Sequence, residues 1–236
     1  MQNYCNLNEE EKNIISDAII AAIMDDVKEV YAENNLHHKN GYSMLVWDFI
    51  GSKVIDKLKD TRLKAIKVRR GRFSFDIILD EEHHTVYTIM KKSNIEKVKK
   101  EKNSSHYLWA LASINCDLKI EQGQLNLFTT DYNSEYKEMT KRNLLSGVES
   151  IVDRYCTIVI NDDNKHFPSI QMAVFDMNIN TVYEESWKDS VINYELENDN
   201  YISNFNINNP VIKIKEERFE NILKIKNQEK VNEKEG

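Results

Sequence analysis

Asp76, Asp80 and Lys91 are the residues of this chain whose types and spacing come nearest to catalysis. A metal-dependent phosphodiesterase needs an acidic residue on one strand and Glu/Asp-x-Lys on the next, so that two carboxylates hold Mg²⁺ while the lysine polarises the attacking water. Asp76 or Asp80 can supply the first carboxylate. The second is missing, because the residues two before Lys91 and Lys92 are Ile89 and Met90. Asp76, set between apolar neighbours on an alternating strand, reads as a solvent-face residue.

Other chemistry is weaker. The chain has no GxGxxG, Walker A, GxSxG or HExxH, so the phosphate cradles, nucleophile elbows and zinc helices those motifs build are not indicated. His37-His38 and His83-His84 are adjacent pairs in a loop and a turn, and neighbours in extended chain point opposite ways, which suits surface histidines better than a metal site. Cys5, Cys116 and Cys156 are an odd number at wide spacing, with no CxxC or CxxH pair to hold zinc, and read as reduced thiols. Trp47, Trp109 and Trp187 fit packing positions. The expectation is therefore no cofactor, no metal and no assembled catalytic set, with Asp76, Asp80 and Lys91 as the nuclease alternative.

Charge is distributed more tellingly. Between Lys53 and Lys102 there are 15 basic and 8 acidic residues, a local excess of +7 in a chain of net charge -7. Basic clustering is the footprint of polyanion binding, since each neutralised phosphate releases counterions. Arg62, Lys64, Lys67, Arg69, Arg70 and Arg72 lie on or beside one expected strand, where a regular pleat puts Arg62, Lys64, Arg70 and Arg72 on a shared face. Such a ridge suits nucleic acid or an acidic protein surface. No RRM, KH, zinc-finger or helix-turn-helix signature accompanies it, and the negative net charge favours the acidic protein.

The elements that must position these residues follow from periodicity. Asn8 to Glu11 has capping-box spacing, and apolar residues from Ile15 to Val30 recur every three or four positions, giving a helix over 9 to 33. A second helix capped by Ser43 runs to about Asp60. A meander over 62 to 90 follows, then helices at 94 to 102, 105 to 114 and 133 to 146, the last closed by Gly147. A second meander occupies about 154 to 185. A short strand at 211 to 214 and a helix at 216 to 225 are expected in a polar tail whose last ten residues are disordered. Asp80 and Asp176 each end an apolar run and precede Thr-Val-Tyr at the same distance, the mark of two similar hairpins, by convergence or by duplication.

These elements make an α+β fold, with helices packed on one face of an antiparallel sheet built from two β-meanders. Residues 1 to 189 form one domain, or two α-plus-hairpin halves dividing near 116 to 132, and 190 to 236 a C-terminal extension. Helix, three-stranded meander and helix is also the order in which PD-(D/E)xK nuclease cores begin. The longest apolar stretch, Ile19 to Met24, is too short for a bilayer, and Met1 to Glu11 lacks the basic and apolar regions of a secretory signal. A cytoplasmic protein that touches no membrane is expected.

Ser43 to Ile50, Arg70 to Asp76, Thr85 to Tyr87, His106 to Leu111, Gln124 to Phe128, Asp153 to Tyr155 and Val182 to Trp187 together resemble an uncharacterised domain family of Gram-positive bacteria, linked to prophages and mobile elements. The resemblance spans about residues 43 to 190. It implies no activity or ligand, and points towards regulatory, antitoxin-like or phage-conflict roles. The expected function is a non-enzymatic binding or regulatory protein with a protein partner; the alternative is a nucleic-acid-binding protein or a divergent Mg²⁺ nuclease. Oligomeric state is not legible.

Overall fold

The computed structural model describes residue 4 and residues 6–70, 73–101, 105–118, 134–161 and 168–187. The chain divides into Met1–Ile192 and Asn193–Gly236. All described residues fall in the first part, so the strand and helix expected at 211 to 214 and 216 to 225 lie outside them; residues 124 to 128, which carry part of the family resemblance, also lie outside the described residues.

Helix α1 (Glu9–Ala21) opens on the capping box the sequence announces: Asn8 Oδ1 accepts from the Glu11 N–H, and Glu11 Oε2 from the Asn8 N–H, both at 2.9 Å. It continues through a π-helical turn (Ala22–Asp26) into α2 (Val27–Glu33). Helix α3 (Tyr42–Leu58) starts one residue before the expected cap, with Gly41 at the N-cap position and no side-chain bond there. Its buried residues Val46, Ile50, Val54 and Leu58 recur every four positions and make one apolar stripe.

Strands β1 (Lys64–Arg70), β2 (Phe73–Asp80) and β3 (Thr85–Lys91) follow as an antiparallel meander. Helices α4 (Lys92–Glu101), α5 (Tyr107–Ala112) and α6 (Ser134–Leu144) lead to β4 (Arg154–Asn161), β5 (Ser169–Phe175) and β6 (Thr181–Ser186). Gly147 takes the left-handed conformation expected of it, φ 88°.

The six strands lie in chain order in one sheet, and β3 and β4 are parallel. The fold is α+β with a mixed, mostly antiparallel sheet, which corrects the wholly antiparallel one expected. The reason is the connection: a helical crossover brings the chain back to the starting end of β3, so β4 must run alongside it in the same sense.

Helices cover both faces, a second correction. Ile77, Val86 and Val159 pack with Ile95 and Val98 of α4 and Leu108 and Leu111 of α5 on one side. On the other side Ile78 lies beside Ile50 and Val54 of α3. Two-sided burial explains why β4 reads as a strongly apolar run from Tyr155 to Ile160, interrupted by Thr157 alone and buried throughout.

The two hairpins whose sequences match do share a device. Asp80 Oδ1 accepts from the His83 N–H, and Asp176 Oδ1 from the N–H groups of Asn178 and Asn180. The registers differ: Asp80 pairs with Thr85, whereas Phe175 pairs with Thr181.

Candidate functional site

A cleft of about 300 Å³ opens between α3 and the β1–β2 hairpin. Trp47, Asp48 and Gly51 line it from the helix, Lys67 and Asp76 from the hairpin, and Ile89 from β3. Lys67 and Asp76 are direct partners in the β1–β2 register, so their side chains leave the sheet side by side on the α3 face.

Asp76 is therefore not the solvent-face residue that alternation suggested. Both faces of this sheet are covered, so the polar parity of β2 points under a helix. Its Oδ1 is buried without a hydrogen-bond partner. Its Oδ2 sits over Gly51 so closely that a Cβ there would collide with it. Burial pushes the Asp76 carboxyl above its ordinary range, against the pull of the Lys67 ammonium.

Asp80 lies four residues farther along the same strand, about 13 Å at ~3.3 Å per residue, too far for the two carboxylates to share one ion. It is fully buried and belongs to a different structure. Arg62 Nη1 donates to Asp80 Oδ1, while Arg62 Nη2 donates to Glu11 Oε2 at 2.9 Å and to the Asn6 carbonyl at 3.0 Å. Arg62 Nε lies 2.8 Å from Glu11 Oε1, and His83 Nδ1 lies 2.9 Å from Asp80 Oδ2. One guanidinium thus ties the start of α1 to the β2–β3 turn. Burial alone would raise the Asp80 carboxyl, but the bonds from Arg62 and His83 prevail and hold it below its ordinary value.

Lys91 ends β3, half-buried, with Ile160 of β4 as its register partner. Among the described residues no three His, Cys, Asp or Glu side chains converge to hold a metal ion.

The described members of the basic series take separate courses. Arg62 precedes β1 and turns inward. Lys64 reaches Glu81 Oε2 at 2.5 Å, both side chains exposed. Lys67 faces the cleft, and Arg69 shares its strand parity. Arg70 closes β1 opposite Phe73, and Arg72 lies outside the described residues.

Cys156 is buried in β4, as its apolar setting foretold, and Cys116 is exposed. Trp187 is buried, whereas Trp47 lines the cleft. Sequence reasoning missed the cleft and the Arg62 network. A glycine in the middle of an apolar helix was the available signal for the first, since it marks a close approach.

No helix among the described residues is long and apolar enough to cross a membrane. No curated protein and no solved structure matches the chain. Residues 4–236 match a family of unknown function, DUF5986, and the chain belongs to that family.

Proposed function

We propose that this family member is a non-enzymatic binding protein whose cleft between α3 and the β1–β2 hairpin receives a cationic side chain, arginine or lysine, from a protein partner. One observation carries the reading: the cleft presents a carboxylate with an unpartnered oxygen, Asp76, and presents Ile89 beside it. Helix, three-stranded meander and helix is the order in which the metal-dependent nuclease cores considered above begin, a likeness of element order only. In that scheme Ile89 stands where the second carboxylate is needed, two residues before Lys91. An isoleucine coordinates nothing, so β3 brings no second carboxylate to Asp76, which shares the cleft with Asp48 and Lys67 and with the apolar surfaces of Trp47, Ile78 and Ile89.

Such a cleft suits an N–H donor on an apolar stem. The stem packs on Trp47 and Ile89, and the donor satisfies an oxygen whose burial without a partner costs about 1–3 kcal/mol. A regulatory role in a mobile-element, phage-conflict or antitoxin-like system is the setting we favour, on the resemblance carried by about residues 43 to 190.

Titrating acetyl-arginine-amide and acetyl-lysine-amide while following the Trp47 indole and Gly51 amide NMR signals tests the binding. Saturable shifts in the wild type that vanish in Asp76→Asn are expected. Absence of shifts overturns the cleft assignment. Plasmid or RNA cleavage that requires Mg²⁺ or Mn²⁺ and is lost in Asp76→Ala overturns the non-enzymatic reading.

A further inference from the structure

The positive excess of residues 53 to 102 is not neutralised evenly. Lys53 pairs with Asp26 at 3.1 Å and Lys59 with Asp56 at 2.7 Å. Arg62 is held by Glu11 and Asp80, and Lys64 by Glu81. On α4 the pattern changes. Lys97 has Glu101 at 3.9 Å, but Lys92, Lys99 and Lys100 are exposed and make no ion pair with a described carboxylate.

Helix geometry gathers these three. At about 100° per residue, Lys92, Lys99 and Lys100 fall within an arc of roughly 100°, and Lys92 and Lys99 stand two turns apart, ~10 Å along the axis. Glu96 is the acidic side chain within that arc. Ile95 and Val98 anchor an adjoining face of the helix in the core, centred about 120° around the axis from the middle of the lysine arc, which fixes the direction in which the lysines point.

We propose that this lysine face of α4 contacts the phosphate backbone of a nucleic acid, independently of the cleft. Three features favour phosphate over an acidic protein. The cations are lysines, strongly hydrated point charges that are depleted in protein–protein interfaces yet effective on phosphates. The exposed large apolar side chains of the described residues, Leu36, Met44, Phe73, Tyr136 and Met139, all lie on other elements, so α4 offers no apolar centre for a protein interface. And in the β1 series, the more obvious basic run, Arg62 and Lys64 are already engaged, whereas Lys92, Lys99 and Lys100 are exposed with no ion pair to a described carboxylate.

The test is fluorescence anisotropy with a labelled duplex DNA and a single-stranded RNA, at salt concentrations between 50 and 200 mM. The wild type is expected to bind with an affinity that falls linearly in log–log form. Lys92→Ala/Lys99→Ala/Lys100→Ala should flatten that slope by about 2 to 3, at ~0.7–0.9 per lost phosphate contact. Exposed alanines favour the helix, so circular dichroism should report an intact fold. The matching triple arginine variant keeps the charges and should keep the slope, and Lys64→Ala, whose charge Glu81 already meets, should leave it unchanged. Three outcomes overturn the proposal: no binding to either nucleic acid at 50 mM salt, binding whose slope the triple alanine variant retains, or polyglutamate binding as tightly as the nucleic acids with the same loss in that variant.

Discussion

Replacing Arg62 should damage this protein more than any other single surface-reaching substitution, and the size follows from its partners. The Arg62 side chain is 27% exposed, whereas those of Glu11 and Asp80 are 5% and 0% exposed. Arg62→Ala leaves both carboxylates buried without their cation and removes the donor to the Asn6 carbonyl. Breaking a buried ion pair by deleting one partner costs about 3–5 kcal/mol, because the remaining charge stays desolvated. Against a total stability of ~5–15 kcal/mol this is a large share. At ~2–4 °C per kcal/mol for a domain of this size, the midpoint of thermal unfolding should fall by roughly 6–20 °C.

The pH dependence identifies the cause. In the wild type the Asp80 carboxyl is depressed, so its contribution is present above the unfolded carboxylate value of about 3.9 and is lost as pH falls through the folded value. In Arg62→Ala only burial and His83 act on Asp80, burial raises its carboxyl, and protonation becomes a relief. The stability gap between the two proteins should therefore narrow as pH falls from 7 towards 4. Thermal unfolding followed by circular dichroism at pH 7, 5.5 and 4 measures this. A loss below about 1 kcal/mol at pH 7, or a gap that does not change with pH, would refute the argument that Arg62 is the counter-charge of a buried carboxylate pair.

Other substitutions test other parts of the structure. Gly51→Ala should gain up to ~1 kcal/mol of helix propensity but lose more by driving a Cβ into Asp76 Oδ2; in an Asp76→Ser background the same change should turn stabilising, as a double-mutant cycle by chemical denaturation will read. Because Asp76 has a raised carboxyl, its charged form opposes folding: wild-type stability should decline as pH rises from about 3.9 through the folded value, and Asp76→Asn should abolish that decline. Asn115, fully buried, donates to the carbonyls of Tyr155 and Phe175 and accepts from the Tyr155 N–H. Asn115→Ala orphans three backbone groups and should cost upwards of ~3 kcal/mol, with faster amide exchange at Tyr155.

Much of the architecture was written in local patterns. The Asn8–Glu11 box, the alternation of β2 and the aspartate turns at Asp80 and Asp176 act over a few residues, so the chain itself displays them. What local pattern cannot show is which way two distant segments run relative to each other. Nothing in Thr85–Lys91 or Arg154–Asn161 marks them as parallel neighbours, because that relation is set by the long helical return between them. The same applies to Arg62: its charge was visible, but its partners are 51 and 18 residues away.

Asp76 shows where alternation misleads. Period-2 reasoning assigns one parity of a strand to the core and the other to water, which holds only when one face of the sheet is open. In β2 the parity of Ile77 meets α4 and α5, and the parity of Asp76 and Ile78 meets α3. A polar residue on such a strand is under a helix, and must be bonded, left in a cleft, or both approached and spared by a small residue opposite. Asp80 took the first course through Arg62. Asp76 took the others, beneath Gly51 and beside Lys67, and it is this placement, with Ile89 rather than a second acid next to it, on which the proposed donor-binding cleft rests.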